Sequence, residues 1–266
     1  MSNNAEDRLL DIKKLSVSYF NAGVYTKAVD NADLFIQKGE MIGLVGESGC
    51  GKSSLAMAIL RLIDPPGKIT GEIIWKGGDI MKLSPSAMRE VRGGDISMVF
   101  QDPFSSLNPV LKVGEQIAEV YRIHQDYPKK EAWDMAVKML KTVHIDDPEK
   151  RANDYPHQFS GGMKQRVAVA VACALSPDLI IADEPTTALD VTMQKSILEL
   201  LKELKKTVLF ISHNIALVSS FCGRIYVMKD GLIIEEGTAE NIIKDPKDPY
   251  TAKLVNSYKE LSVGHN

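Results

Sequence analysis

Gly46-Glu47-Ser48-Gly49-Cys50-Gly51-Lys52-Ser53 places glycines, a lysine and a hydroxyl at every fixed position of G-x-x-x-x-G-K-[ST]. A backbone that turns its N–H groups inward around a polyphosphate needs glycine, which takes such conformations without a Cβ clash. A helix opening near Lys52 would add its positive end to the same site. In that geometry Lys52 reaches the β- and γ-phosphates, and the Ser53 hydroxyl ligates Mg²⁺. The expected nucleotide-binding set is therefore Gly46, Glu47, Ser48, Gly49, Cys50, Gly51, Lys52, Ser53 and the adjoining Ser54. Cys50 stands at a variable position. The preferred reading is a small filler; the sharper one is a thiol activated by Lys52 and the helix end.

A second constellation is Leu179-Ile180-Ile181-Ala182-Asp183-Glu184, an apolar run ending in two carboxylates. Such a strand is buried on both faces, so its acids emerge at the C-terminal edge, where α/β sheets place ligands. Asp183 suits a Mg²⁺ shell, and Glu184 suits a base that orients and deprotonates water. Alone, an Asp-Glu pair is an ordinary solvated turn. Behind a phosphate loop the catalytic reading gains weight.

These residues need elements to hold them, and the hydropathy pattern supplies candidates. Met41–Val45 is a short apolar strand leading into the glycine-rich loop, followed by helical spacing over Lys52–Ile63. Leu10–Tyr19, Ala28–Ile36 and Ile73–Trp75 read as strands of a small antiparallel sheet. A short helix is expected at Ser84-Pro85, with serine as cap and proline at the first helical position. Val113–His124 and Pro128–Val143 carry helical spacing with no strand between them. They belong to an all-helical block of about 102–176 that interrupts the strand–helix alternation. Leu179–Ala182 and Val208–Ile211 resume it around a helix at Met193–Lys205 with Ile197, Leu198, Leu201 and Leu204 on its apolar face. Arg224–Met228, Asp230-Gly231 and Leu232–Glu236 read as a hairpin, because Asp-Gly suits a type I′ turn.

The 266 residues exceed one average domain, and 44% hydrophobic with 25% charged residues is the mix of a globular protein. With 32 basic against 35 acidic residues and no basic run, nucleic acid is not an expected partner. Cys50, Cys173 and Cys222 are odd in number and widely spread, which fits a reducing compartment. No apolar run approaches the ~20 residues of a membrane helix, and the polar start Met1–Asp11 reads as no signal peptide. His124, His144, His157 and His265 show no metal-ligand spacing.

Ser160-Gly161-Gly162-Met163-Lys164-Gln165-Arg166 resembles the signature motif of ABC-transporter ATPase subunits. Further motifs follow in that family's order. Gln101 in Phe100-Gln101-Asp102-Pro103 resembles the Q-loop, Asp190 in Ala188-Leu189-Asp190 the D-loop, and His213 in Ile211-Ser212-His213 the switch histidine. Tyr19 stands where the family places an aromatic on adenine, with Phe20 or Tyr25 as alternatives. The resemblance spans about 12–254. It implies a P-loop α/β fold: a mainly parallel core sheet, an N-terminal antiparallel β subdomain and an inserted α-helical lobe. The expected division is an ATPase domain over 1–241, its helical subdomain about 102–176, and a helical tail over 242–266.

The resemblance also implies roles. Ser160, Gly161, Gly162 and Met163 would bind the ATP of a partner subunit across a head-to-tail dimer, and Gln101 would sense Mg²⁺ and water. Glu184, His213, Gln101 and Lys52 would form the catalytic set, with Ser53, Gln101 and Asp183 around Mg²⁺. Phe100–Glu115, Tyr155–Arg166 and Asp248-Pro249-Tyr250-Thr251 look like the peptide and nickel uptake branch. Its members act at the cytoplasmic membrane face, beside a second ATPase subunit, two membrane permease subunits and an external solute-binding protein. Phe104 and Leu107, in the segment Asp102–Leu111, are expected where the family docks its membrane subunits.

Three departures stand out. Clustered C-terminal cysteines are missing, so no iron–sulfur cluster is expected; Asn214 replaces the usual aspartate; and the connection from Leu204 to Val208 is short. The competing readings are a soluble non-transport ABC ATPase, an importer motor for nickel or oligosaccharide, a nucleotide-binding partner without turnover, and a small-molecule kinase. One cassette with no heptad run between Lys52 and Ser160, intact Lys52, Gln101, Glu184 and His213, and the SGG motif weigh against all but the importer readings.

Overall fold

The computed structural model describes residues 8–102, 106–186 and 189–263. The chain forms two compact units. One runs to Ser84 and resumes at Thr207; the other is Pro85–Lys206.

In the first unit, an antiparallel sheet has the order Val24–Gln37, Arg8–Asn21, Lys68–Trp75, Gly78–Asp79. Leu10, Ile12, Leu15 and Val17 are all buried although their spacing changes parity after Ile12. A register shift between Ile12 and Leu15 accounts for this, with Lys14 at φ 49°. One extra residue in a strand returns the following side chains to the core face, where a plain alternation would turn them to water. The strands run longer than the apolar pattern marks, because Tyr19 to Asn21 pair with Val24 to Thr26 around a turn at Ala22-Gly23.

Met41–Val45 lies between Thr207–Ser212 and Arg224–Lys229, parallel to both. Ile42, Leu44, Val45, Leu209, Phe210 and Ile211 have no exposed surface, as strands covered on both faces require. Leu232–Thr238 pairs antiparallel with Arg224–Lys229 through Asp230-Gly231, whose φ values of 48° and 84° are those of the expected type I′ turn. Asn214 Oδ1 accepts the N–H groups of Ala216 and Leu217 at 3.1 Å each, capping Ile215–Phe221. Asparagine thus performs here the capping that aspartate would supply. Two further helices follow, Ala239–Lys244 and Pro249–Val263.

The second unit holds the parallel pair Ile96–Val99 and Leu179–Asp183. Its main helices are Val113–Gln125, Lys129–Thr142, Gly161–Cys173 and Val191–Glu203, so the helical block read near 102–176 falls inside it. Pro85 opens the short helix Pro85–Glu90. Val113, Ile117, Tyr121, Ala136, Leu140 and Val143 are buried, while Trp133 is half-buried. On Val191–Glu203 the buried face is Ile197, Leu198, Leu200 and Leu201; Leu204 only caps the helix.

Candidate nucleotide site

In the first unit, the loop after Met41–Val45 feeds the helix Lys52–Ile59, shorter than its apolar spacing because Arg61 turns to φ 51°. Gly51 caps that helix at φ 110°, and a Cβ there would lie 2.1 Å from the Ala28 carbonyl oxygen. Only glycine fits this position. Lys52 is 4% exposed, and its Nζ donates to the carbonyl oxygens of Gly46 and Glu47 at 2.8 Å each. The ammonium therefore folds back over the loop that it is expected to serve. Ser53 is exposed and Ser54 half-buried. The Gly231 N–H donates to the Cys50 carbonyl at 2.9 Å, so the hairpin turn buttresses the loop from behind.

Burial pushes the Cys50 thiol up, against the lowering influence of Lys52, whose Nζ is 3.8 Å from Sγ. Desolvation outweighs the ammonium, which favours the small-filler reading of Cys50 over the activated thiol. Tyr19 Oη donates to Ser54 Oγ at 3.2 Å, and its ring is 38% exposed beside the loop. The Phe20 and Tyr25 rings meet in a tilted pair with centroids 4.9 Å apart, and the Lys68 ammonium lies 4.1 Å from the Tyr25 ring. Tyr19 is thus the aromatic tied to the first turn of the helix that follows the loop. His213 is exposed after Thr207–Ser212.

In the second unit, Asp183 ends its strand at 4% exposure, and Glu184 follows at 8%. Glu184 has φ 45°, a left-handed conformation that a non-glycine residue before proline adopts only when its surroundings impose it. That conformation turns its carboxylate to Gln101, whose Nε2 donates to Oε2 at 3.1 Å. Ser160 Oγ accepts the Met163 N–H at 3.3 Å and caps Gly161–Cys173, an exposed hydroxyl at a helix N-terminus. Gly162 is so close to Met193 that a Cβ would lie 1.7 Å from its Cε. Asp190 Oδ1 in turn accepts the Met193 N–H at 3.0 Å, capping Val191–Glu203. Ser160 and Asp190 thus each open a helix, and the two helices meet at Gly162. Phe104 and Ala188 lie outside the described residues.

The ABC transporter family profile matches residues 29–187. The chain belongs to the ABC transporter family. Among curated relatives of this cassette, a probable peptide ABC transporter ATP-binding protein of Sinorhizobium fredii is 47% identical over 99% of the chain and 80% of its own length. A dipeptide transport ATP-binding protein of Haemophilus influenzae is 48% identical over 96% of the chain and 79% of its own length. An oligopeptide transport ATP-binding protein of Bacillus subtilis is 47% identical over 96% and 73%. Among solved structures, the dimeric ATP-binding cassette MJ0796 bound to ADP and phosphate superposes with a TM-score of 0.77 at 31% identity, over 86% of this chain and 98% of that one. CbiO1 of Clostridium perfringens superposes with a TM-score of 0.76 at 27% identity, over 98% of both chains.

This cassette therefore has the α/β P-loop fold of ABC ATPases, with its N-terminal antiparallel sheet and parallel core strands, and its enzymatic activity is ATP hydrolysis. Among the described residues no helix is long and apolar enough to cross a membrane, and no group of three metal-ligating side chains occurs. The feature that sequence reading missed is Tyr250, whose hydroxyl accepts the Glu47 N–H at 2.9 Å. Nothing in the spacing links positions so far apart; only its place in the peptide-branch motif drew notice to it.

Proposed function

We propose that the chain is the ATP-hydrolysing subunit of an importer of dipeptides or oligopeptides, bound at the cytoplasmic membrane face. The observation that carries this reading is the similarity, over nearly the whole chain, to proteins named for dipeptide and oligopeptide transport. Its partners are a second ATPase subunit, two membrane permease subunits and an external solute-binding protein. Co-expression with permease subunits and binding protein from the same gene cluster tests it. Uptake of labelled dipeptide or oligopeptide is expected, and uptake of nickel or oligosaccharide alone would overturn it.

The roles of the site residues belong to the same proposal. Lys52 and the amides of residues 46–54 neutralise the polyphosphate, and Tyr19 stacks on adenine. Glu184 takes the proton of the attacking water, while Gln101 holds the carboxylate in place. His213 donates to the γ-phosphate. A hydroxyl and a buried carboxylate are hard oxygen donors of the kind that Mg²⁺ takes, so Ser53 and Asp183 suit that ion, with Gln101 near its waters. When bound, Mg²⁺ neutralises charge developing on the phosphoryl oxygens. Ser160, Gly161, Gly162 and Met163 present a helix N-terminus to the nucleotide of the second subunit, and Asp190 lies at the same junction. ATP between two such subunits favours closure, and loss of the γ-phosphate removes the contact that favours it.

The permease contact is assigned to an apolar groove of about 140 Å³ in the second unit, lined by Val99, Phe100, Leu107, Ala168 and Val171. Leu107 is 3% exposed, so truncating it would also open a cavity costing about 2–5 kcal/mol. Phe100, 44% exposed, is the better probe. Phe100→Ser is expected to reduce co-purification of the permease subunits and leave MgATP affinity unchanged.

A further inference from the structure

The peptide between Gly46 and Glu47 is held at both ends. Its carbonyl accepts from Lys52 Nζ at 2.8 Å, and its N–H donates to Tyr250 Oη at 2.9 Å. Tyr250 comes from the first turn of Pro249–Val263 and is 9% exposed. That turn is itself braced. Asp248 Oδ1 accepts the Tyr250 N–H at 2.7 Å, and the Glu235 carboxylate accepts the N–H groups of Lys247 and Asp248 at 2.7 and 3.1 Å. The Lys229 ammonium lies 5.2 Å from the Tyr250 ring.

Gly46 has no side chain to restrain rotation of the peptide that follows it. The same peptide carries a carbonyl on which Lys52 rests, so its orientation decides where the ammonium sits before nucleotide arrives. We propose that Tyr250 is a positioning residue for ATP binding: its hydroxyl fixes the Gly46–Glu47 peptide and so pre-sets Lys52 and the loop amides. The role rests on the assignment of residues 46–54 to nucleotide. A loop ordered in advance binds its ligand more tightly, because less freedom is lost on binding. Burial raises the phenol above its ordinary value, which keeps Oη a neutral hydroxyl able to accept this N–H.

Tyr250→Phe removes one oxygen and keeps the ring. Thr251→Val is the control: it is fully buried in the same turn, and its Oγ1 has no partner among the described residues. The measurements are MgATP titration of the purified full chain by calorimetry and amide hydrogen exchange without nucleotide. Tyr250→Phe is expected to weaken MgATP about threefold to tenfold and to speed exchange at Glu47, with the helix amides after Tyr250 unchanged. Thr251→Val should behave as wild type in both. Unchanged MgATP affinity in Tyr250→Phe would overturn the role, whatever the exchange shows; so would an equal loss in Thr251→Val, which would reduce the effect to helix packing. A wild-type chain that binds no MgATP would overturn the nucleotide assignment and this role with it, a result read before any variant is made.

Discussion

Gln101 Nε2 donates to Glu184 Oε2 at 3.1 Å. That bond orients the carboxylate proposed to act as the base. Replacing Glu184 by Gln keeps the shape and removes the proposed base. MgATP binding should persist, the subunits should stay associated around it, and turnover should fall about 10²- to 10⁴-fold. Gln101→Ala removes that donor and should lower kcat about tenfold, with little change in nucleotide affinity. Single-turnover hydrolysis alongside equilibrium binding separates the two effects.

Gly51 tests the loop as backbone. An alanine there must take φ 110° with its Cβ 2.1 Å from the Ala28 carbonyl oxygen, a backbone atom that cannot swing aside. Strain and clash together should cost about 3 kcal/mol or more. Thermal unfolding without nucleotide is expected to show a clearly lower midpoint for Gly51→Ala, and MgATP should recover little of it, because the phosphate cradle is distorted too. A wild-type midpoint would mean that the loop is freer than its geometry implies.

Both constellations proposed to serve the nucleotide could be picked out from residue order because their residues are local. Gly46 to Ser53 is one continuous loop-to-helix segment, and Asp183 and Glu184 are adjacent at the end of one apolar strand. The type I′ turn at Asp230-Gly231 was legible for the same reason. Tyr250 was not, since its hydroxyl reaches Glu47 across 203 positions and no period encodes that. The bulge at Lys14 escaped as well, because a strand that changes parity looks like two weak alternations. Glu184 was named for its position, but its left-handed backbone, which turns the carboxylate to Gln101, emerges only with the folded neighbours in place. The thiol of Cys50 shows the same limit: Lys52 is visible two residues away, whereas the burial that outweighs it is tertiary.

That burial gives Cys50 a testable chemistry. Alkylation requires thiolate, and a thiol held above its ordinary value supplies little of it near neutrality. At pH 7 the native chain should react with maleimide at Cys50 far more slowly than a free cysteine does. The rate should climb as pH rises, and MgATP should change it little beyond any effect of added stability. Peptide mapping of labelled protein identifies the site. Fast labelling at pH 7 would restore the activated thiol.

Alkaline pH should weaken the fold through groups buried neutral in both units. The Cys173 thiol is pushed by desolvation from 9.0 up to about 12, and the Tyr226 phenol from 10.0 to about 12. Each is an acid whose pKa is higher folded than unfolded. Above the unfolded value the unfolded chain has released its proton while the native chain retains it, so unfolding is coupled to proton release and stability falls as pH rises. The contribution is fully present below about pH 9 and is lost progressively up to about pH 12. The thermal midpoint should therefore fall across this window. Cys173→Ala removes one of the groups and one buried sulfur, so it should lower the midpoint at pH 7 slightly yet reduce its slope against pH above 9. Melting curves of both proteins at several pH values measure that slope. An equal slope in the variant would show that the buried thiol does not take part in the alkaline transition.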